Sequence, residues 1–272
     1  MSPPEKKARN AGYTLYYWPG IPGRGEYIRL AFEYAGIPYT ENLNPETLES
    51  TIHDASKVGH PPHFAPPMLE LPSGHTISQT PAILNHIAPK LGLAGALGSK
   101  LATGEGLTEE EREKAEEERS AVNQLVLTAL DVNNEAHDVH HPIASSKYYE
   151  EQKEAALERA ADFRASRIPK FLAHFENVLT TNPATADGER TYLIGKQTTT
   201  ADLVLFHVMD GLLFAFPKRM AAVNKSKEYD HVFKLHKRVA RENGIKEYIA
   251  SGRRQKFSMG LFRHYKELDG DE

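Results

Sequence analysis

Strand signals in this chain nearly vanish after residue 92, and that asymmetry limits the fold more than any single motif. Six β-forming residues, Tyr13 to Trp18, read as a strand buried on both faces. A turn follows at Pro19-Gly20-Ile21-Pro22-Gly23. From Arg24 to Ala35 the apolar residues Tyr27, Ile28, Leu30, Ala31 and Tyr34 recur at helical spacing, and the pattern stops at Gly36. Pro38 to Asn42 reads as a second strand, and Asn44 to Pro67 as a loop rich in His and Pro. Met68 to Leu71 and Thr76-Ile77 form a hairpin pattern around Pro72-Ser73-Gly74-His75, and a helix over Pro81 to Leu91 closes the unit.

Gly92 to Gly106, with five glycines, is the natural linker. Thr108-Glu109-Glu110-Glu111 then opens a long helix, with acidic residues where the helix dipole favours them. Its apolar face includes Ala115, Val122, Leu125, Val126, Ala129 and Leu130. A further helix is expected from about Tyr148 to Leu179, interrupted or kinked near Pro169. Thr199-Thr200-Ala201-Asp202 has the form of a capping box with Asp at the third helical position. It precedes the apolar run Leu203 to Phe216, which reads as the buried central helix of a bundle. A last helix is expected over about Tyr229 to Ala250.

Composition narrows the function classes. With 272 residues there is room for one large domain or two ordinary ones. A formal charge of −4 argues against nucleic-acid binding, which normally needs a basic surplus. The Leu203–Phe216 run contains His207 and Asp210 and is too short to span a bilayer. Met1 to Lys7 lack the apolar centre of a signal peptide, so the expectation is a cytoplasmic protein. The chain has no cysteine, which removes disulfides, protein thiolate nucleophiles and zinc-thiolate sites together.

Chemistry concentrates at Gln79-Thr80. Here a short apolar strand ends in a polar pair that opens a helix, beside the double proline Pro66-Pro67. A hydroxyl there caps free N–H groups, and the helix N-terminus attracts a carboxylate. The corner therefore suits a small anionic ligand. His137-Asp138-Val139-His140-His141 puts imidazoles at helical spacing, but Pro142 ends any helix there and no second cluster of similar spacing follows, so no metal is assigned.

These motifs together resemble the glutathione transferases. Tyr13-Thr14-Leu15-Tyr16-Tyr17-Trp18-Pro19 with Gly23-Arg24-Gly25-Glu26-Tyr27-Ile28-Arg29-Leu30 is similar to the opening of the tyrosine-type (mu, pi, sigma) members. Gln79-Thr80 is similar to that family's Gln-Ser pair, and Tyr192-Leu193-Ile194-Gly195 with Thr199 to Asp202 to its C-domain folding motif. Ile245 to Ser251 is similar to its final helix. The element order β-α-β-loop-β-β-α is that of a thioredoxin-like domain. The implied fold is thus an α/β thioredoxin-like N-terminal domain followed by an all-α helical-bundle domain. The boundaries expected are a disordered tail at 1–11, a glutathione-binding domain at 12–92, a linker at 93–107, a helical domain at 108–251 and a tail or pocket lid at 252–272.

The resemblance implies glutathione as co-substrate, a small apolar electrophile or ligand as second partner, a homodimer, and no metal. Tyr17 falls at the family's catalytic tyrosine. Tyr16 is its rival, because the following loop carries one extra residue, and Tyr13 is a weaker one. No serine lies between Ser2 and Ser50, so a serine-type site is unavailable. Gln79 and Thr80 are the expected holders of the γ-glutamyl end, with Asp131 meeting the partner subunit's cofactor amine and Arg24 orienting the loop after Tyr17. Pro67 matches the family's cis-proline. Pro66 before it has no N–H, so one backbone hydrogen bond to glutathione should be missing. Ala65 stands where relatives place Asn or Gln, leaving Lys57, His53, His60 or His63 to meet the glycyl carboxylate. The absence of cysteine excludes the cysteine-dependent classes, so the reacting thiol must come from glutathione. Two other readings stay open: a ligand-binding protein on this scaffold with little turnover, and a structural or regulatory relative.

Overall fold

A computed structural model describes residues 12–103 and 106–270, so the tail expected at 1–11 lies outside the described residues. Strand β1 (Tyr13–Tyr16) pairs in parallel with β2 (Tyr39–Asn42) and antiparallel with β3 (Met68–Glu70). β3 pairs antiparallel with β4 (Thr76–Ser78), giving a sheet of order β2-β1-β3-β4. A parallel pair needs a crossover, and α1 (Glu26–Ala35) supplies it. Gly36 ends that helix at φ 65°, a left-handed conformation that glycine adopts without a Cβ penalty.

The segment expected to be loop from Asn44 to Pro67 instead holds two helices, α2 (Pro45–Ile52) and α3 (Ala55–Val58). Local caps form them rather than a long apolar period. The Asn44 side chain accepts from the Glu46 and Thr47 N–H groups, and Asp54 accepts from that of Ser56. Leu48, Ile52 and Val58 bury with Met68 in a small separate core. Helix α4 (Thr80–Ile87) follows β4 directly.

The second half is helical, as the loss of strand signals implied. Helix α5 (Glu109–His140) is opened by a capping box between Thr108 and Glu111. All six residues of its expected apolar face are buried, and it packs along α8 (Thr200–Ala215). The box at Thr199 also forms: the Thr199 N–H and hydroxyl both donate to Asp202 Oδ2, at 2.9 and 2.7 Å. Wholly buried Asp202 is matched by Arg238 at 3.1 Å, as a buried charge requires.

The helix expected from about Tyr148 to Leu179 is interrupted just before Pro169, as expected: α6 (Lys153–Asp162), a wide turn at Phe163–Arg167, and α7 (Ile168–Thr181). Pro169 lacks the N–H that would continue the ladder. A short helix, α9 (Pro217–Ser226), was hidden behind the apolar run. The last expected helix is two, α10 (Asp230–Val239) and α11 (Asn243–Ala250). Among the described residues no single helix is long and apolar enough to cross a membrane.

Residues 252–270 pack onto the body. Phe257 stacks on His207 at 5.3 Å, Leu261 and Phe262 are buried, and Tyr265 stacks on Tyr149 at 3.8 Å. In α12 (Lys266–Asp269), Asp269 accepts the Lys218 and Arg219 N–H groups and so caps α9.

Candidate functional site

Tyr16, the last residue of β1, and Tyr17 just after it go to different partners. The Tyr16 hydroxyl donates to Glu70 Oε2 at 3.0 Å, and burial, with Glu70 adding to it, pushes the phenol up to about 12. Its ring packs on the small core of Leu48, Ile52 and Met68. Tyr17 is buried, 5% exposed, and its oxygen accepts the backbone N–H of Arg24 at 2.7 Å. Among the described residues none accepts the phenol's own proton. Burial raises the Tyr17 pKa, offset in part by the Arg24 N–H and by the charges of Arg24 and Arg29. A phenol raised in this way keeps its proton and is a donor at neutral pH.

The glycines of the Gly23-Arg24-Gly25 turn make room for that ring. A Cβ on Gly25 would stand 2.7 Å from Tyr17 Cγ, and one on Gly23 would overlap the hydroxyl. The chain identity of this turn was legible in the sequence, but its purpose was not, because no local pattern shows which side chain folds over a glycine.

Arg24 is the hinge of the site. Its N–H reaches Tyr17, its carbonyl receives the Thr80 hydroxyl at 3.4 Å, and its guanidinium donates to Asn134 Oδ1 at 2.8 Å. One residue therefore ties β1, α4 and α5 together. Around it lies a cleft of about 380 Å³. Pro66, Pro67, Gln79 and Thr80 form one wall, Leu127, Leu130, Asp131 and Asn134 on α5 the other, and Phe64 stands at the edge, 85% exposed. Tyr17 is not in the lining; it stands behind Arg24.

Of the sequence-expected residues, the structure brings Arg24, Pro66, Pro67, Gln79, Thr80 and Asp131 to this cleft. The Pro66–Pro67 bond is cis. Gln79 has φ 70° and ψ 117°, a strained conformation for a residue with a side chain, and it immediately precedes α4. Thr80 is buried, with its hydroxyl turned to Arg24 rather than to its own helix.

Lys57 is not in the lining: its Nζ donates to the Ser50 carbonyl at 2.6 Å and lies 3.8 Å from Asp54. His53 bonds the His63 carbonyl at 2.8 Å, and His63 Nε2 bonds Thr76 at 2.8 Å, so both fasten the loop. Sequence reading missed Leu127 and Asn134. Both lie three or four residues from Asp131, one turn along the same helix face, and that spacing was the available signal.

The His137, His140 and His141 rings lie 4.7–5.0 Å apart at the end of α5, His137 stacked on His141 and His140 edge-on to both. His140 is fastened to the Leu261 carbonyl, 2.9 Å away. Among the described residues no group of three or more His, Asp or Glu is arranged to hold a metal.

Known proteins show the same architecture. A family model described as "Glutathione S-transferase, C-terminal domain" matches residues 137–252. Glutathione S-transferase Mu 4 of Mus musculus is 27% identical over 84% of this chain and 88% of its own length. The glutathione S-transferase of Dirofilaria immitis is 27% identical over 80% and 91%. The solved Pi-class glutathione S-transferase of Onchocerca volvulus superposes with a TM-score of 0.60 at 20% identity, covering 90% of this chain and 100% of that one. The domain match and the relatives support a glutathione-transferase-like protein of the glutathione transferase enzyme class, and the solved structure shares its fold.

Proposed function

We propose that this protein conjugates glutathione to apolar electrophiles, with the Tyr17 hydroxyl donated to the glutathione sulfur. The observation that carries this reading is the Tyr17–Arg24 contact: the oxygen accepts an N–H at 2.7 Å and keeps its own proton available. A thiol is mostly protonated at neutral pH and its thiolate is the nucleophile. A positioned O–H donor stabilises that anion as an oxyanion hole stabilises an alkoxide. In this reading the thiol's proton leaves to solvent and the thiolate attacks the electrophilic carbon. With an aryl halide the carbon–sulfur bond forms as the carbon–halogen bond breaks and halide leaves; with an activated alkene the π bond opens and the carbanion takes a proton from solvent.

Gln79 and Thr80 then hold the γ-glutamyl carboxylate at the start of α4, and Asp131 across the cleft attracts an amine. Pro66 and Pro67 face the middle of the peptide. The proposed assembly is a homodimer and the proposed location the cytoplasm. A second reading, a ligand carrier with little turnover, is favoured by the burial of Tyr17 behind Arg24 and by the missing N–H of Pro66.

Glutathione-agarose retention combined with an aryl-halide assay separates the two. Retention with turnover that is lost in Tyr17→Phe, while retention is kept, supports the enzyme. Retention without turnover in the unaltered protein supports the carrier.

A further inference from the structure

Arg29 is a deeply buried positive charge beside the proposed nucleophile-activating group. It is 1% exposed, and its guanidinium carbon lies 5.7 Å from the centroid of the Tyr17 ring. Its Nε donates to Glu41 Oε1 at 2.6 Å, and its Nη1 to the Pro22 carbonyl at 3.0 Å and to Glu26 Oε2 at 3.3 Å. Its Nη2 is buried with no hydrogen-bond partner among the described residues. A buried N–H without a partner is costly.

Two consequences follow from that geometry. The Pro22 carbonyl belongs to the turn that delivers the Arg24 N–H to Tyr17, so Arg29 holds the turn in place. The positive charge also bears on Tyr17: the guanidinium stands 5.7 Å from the ring centroid and counters the rise that burial gives the phenol. Glu26 is shared between Arg29 and Arg254, whose Nε lies 2.9 Å from Glu26 Oε1, and it accepts the Tyr248 hydroxyl at 3.2 Å as well. Glu41 is 25% exposed, where water weakens its compensation. Arg254 in turn reaches Asp210 at 2.7 Å and His207 at 3.2 Å, and Asp210 pairs with His236 at 2.6 Å. The charged and titratable groups around Arg29 and Tyr17 are thus Arg24, Glu26, Tyr27, Tyr39, Glu41, His207, Tyr248 and Arg254.

We infer that Arg29 is a positioning residue for the thiolate: it fixes the Pro22–Arg24 turn over Tyr17 and supplies the buried positive field that the phenol transmits to the sulfur. The inference rests on Tyr17 acting as proposed above, and it adds a residue with no contact to the cleft.

The test is ultraviolet titration of the thiolate of bound glutathione, with the pH profile of kcat/KM on an aryl halide alongside. In Arg29→Gln the bound thiol's pKa should rise by about 0.5–1 unit, giving roughly three- to tenfold lower kcat/KM near pH 6.5 and recovery at high pH. Arg29→Lys, which keeps the charge, should restore part of the shift. Glu41→Gln removes a compensating carboxylate at the partly exposed end of the pair, and should lower the thiol pKa by a few tenths of a unit, about twofold more thiolate near pH 6.5. That opposite sign is one a purely structural role does not produce, and it remains measurable if Arg29→Gln does not fold. In a Tyr17→Phe background the Arg29→Gln shift should largely disappear. Unchanged titrations in folded Arg29→Gln or in Glu41→Gln, or a shift undiminished without the Tyr17 hydroxyl, overturn the inference. If Tyr17→Phe itself leaves the thiol pKa unchanged, it is the proposed function that fails.

Discussion

The Tyr17 ring occupies the space where Gly25 would carry a side chain: a Cβ there would lie 2.7 Å from Tyr17 Cγ. The proposed catalytic ring is therefore placed by a residue with no chemistry of its own. Gly25→Ala forces the ring or the start of α1 to move. Overpacking of this kind costs about 1–3 kcal/mol. The expected outcome is a lowered Tm together with a kcat loss of more than tenfold, read by calorimetry and an aryl-halide assay. Full activity in Gly25→Ala would show that the position of the ring is irrelevant.

Gln79 stores strain at the mouth of the cleft. Its φ of 70° with ψ of 117° suits glycine. Strain of this kind costs of order 1–3 kcal/mol, and glycine returns about 0.5–1 of it as chain entropy. Gln79→Gly should leave stability to urea unchanged or raise it by about 1 kcal/mol, while weakening glutathione-agarose retention. A destabilised variant that still binds would refute a binding role for the side chain.

Pro66 leaves the cleft wall without one N–H. Restoring it in Pro66→Ala should tighten glutathione by roughly three- to tenfold, corresponding to about 0.5–1.5 kcal/mol for one recovered hydrogen bond. Titration calorimetry reads this directly. Weaker binding would mean that the proline ring itself contributes to the contact.

His207 makes stability depend on pH. Burial, with Arg254 adding to it, holds its pKa down at about 3, and the ring stacks on Phe257. The unfolded chain, with an ordinary histidine, binds the proton more readily between about pH 3 and 6.5. Stability should therefore fall as pH is lowered through 6.5 and be flat above it on this account, with a slope of at most about 1.4 kcal/mol per pH unit for this one group. His140, also held down to about 3, acts in the same direction, whereas the raised carboxyls of Glu26 and Asp202 oppose it. His207→Phe keeps the stack and removes the titration. Urea midpoints from pH 4 to 6.5 should be flatter in that variant than in the unaltered protein.

The C-terminal segment was expected either to cover the pocket or to pack on the surface, and the structure fastens it to α1 and α8. Arg254 joins wholly buried Glu26 to Asp210. Removing one partner from such a network costs about 3–5 kcal/mol. Arg254→Met should lower the unfolding midpoint sharply, and truncation after Ser251 should lower it further through the lost burial of Leu261 and Phe262. A truncated chain of unaltered stability would show that the segment is a detachable cover.

What the sequence determined by itself was whatever short-range patterns encode. The apolar period of α5, the capping boxes at Thr108 and Thr199, the stop at Gly36 and the polar corner at Gln79-Thr80 all depend on residues within a few positions of one another. Their geometry follows from the periods of helix and strand. Helices α2 and α3 escaped because capping residues carry them with hardly any apolar period. What only the tertiary structure decided were the pairings that no helix or strand period encodes: Tyr16 with Glu70, Tyr17 with Arg24 and Arg29, Arg24 with Asn134, and Arg254 with Glu26. Neighbouring tyrosines look alike in sequence. Which one is tied to a carboxylate and which keeps a free proton depends on what other elements bring against each ring.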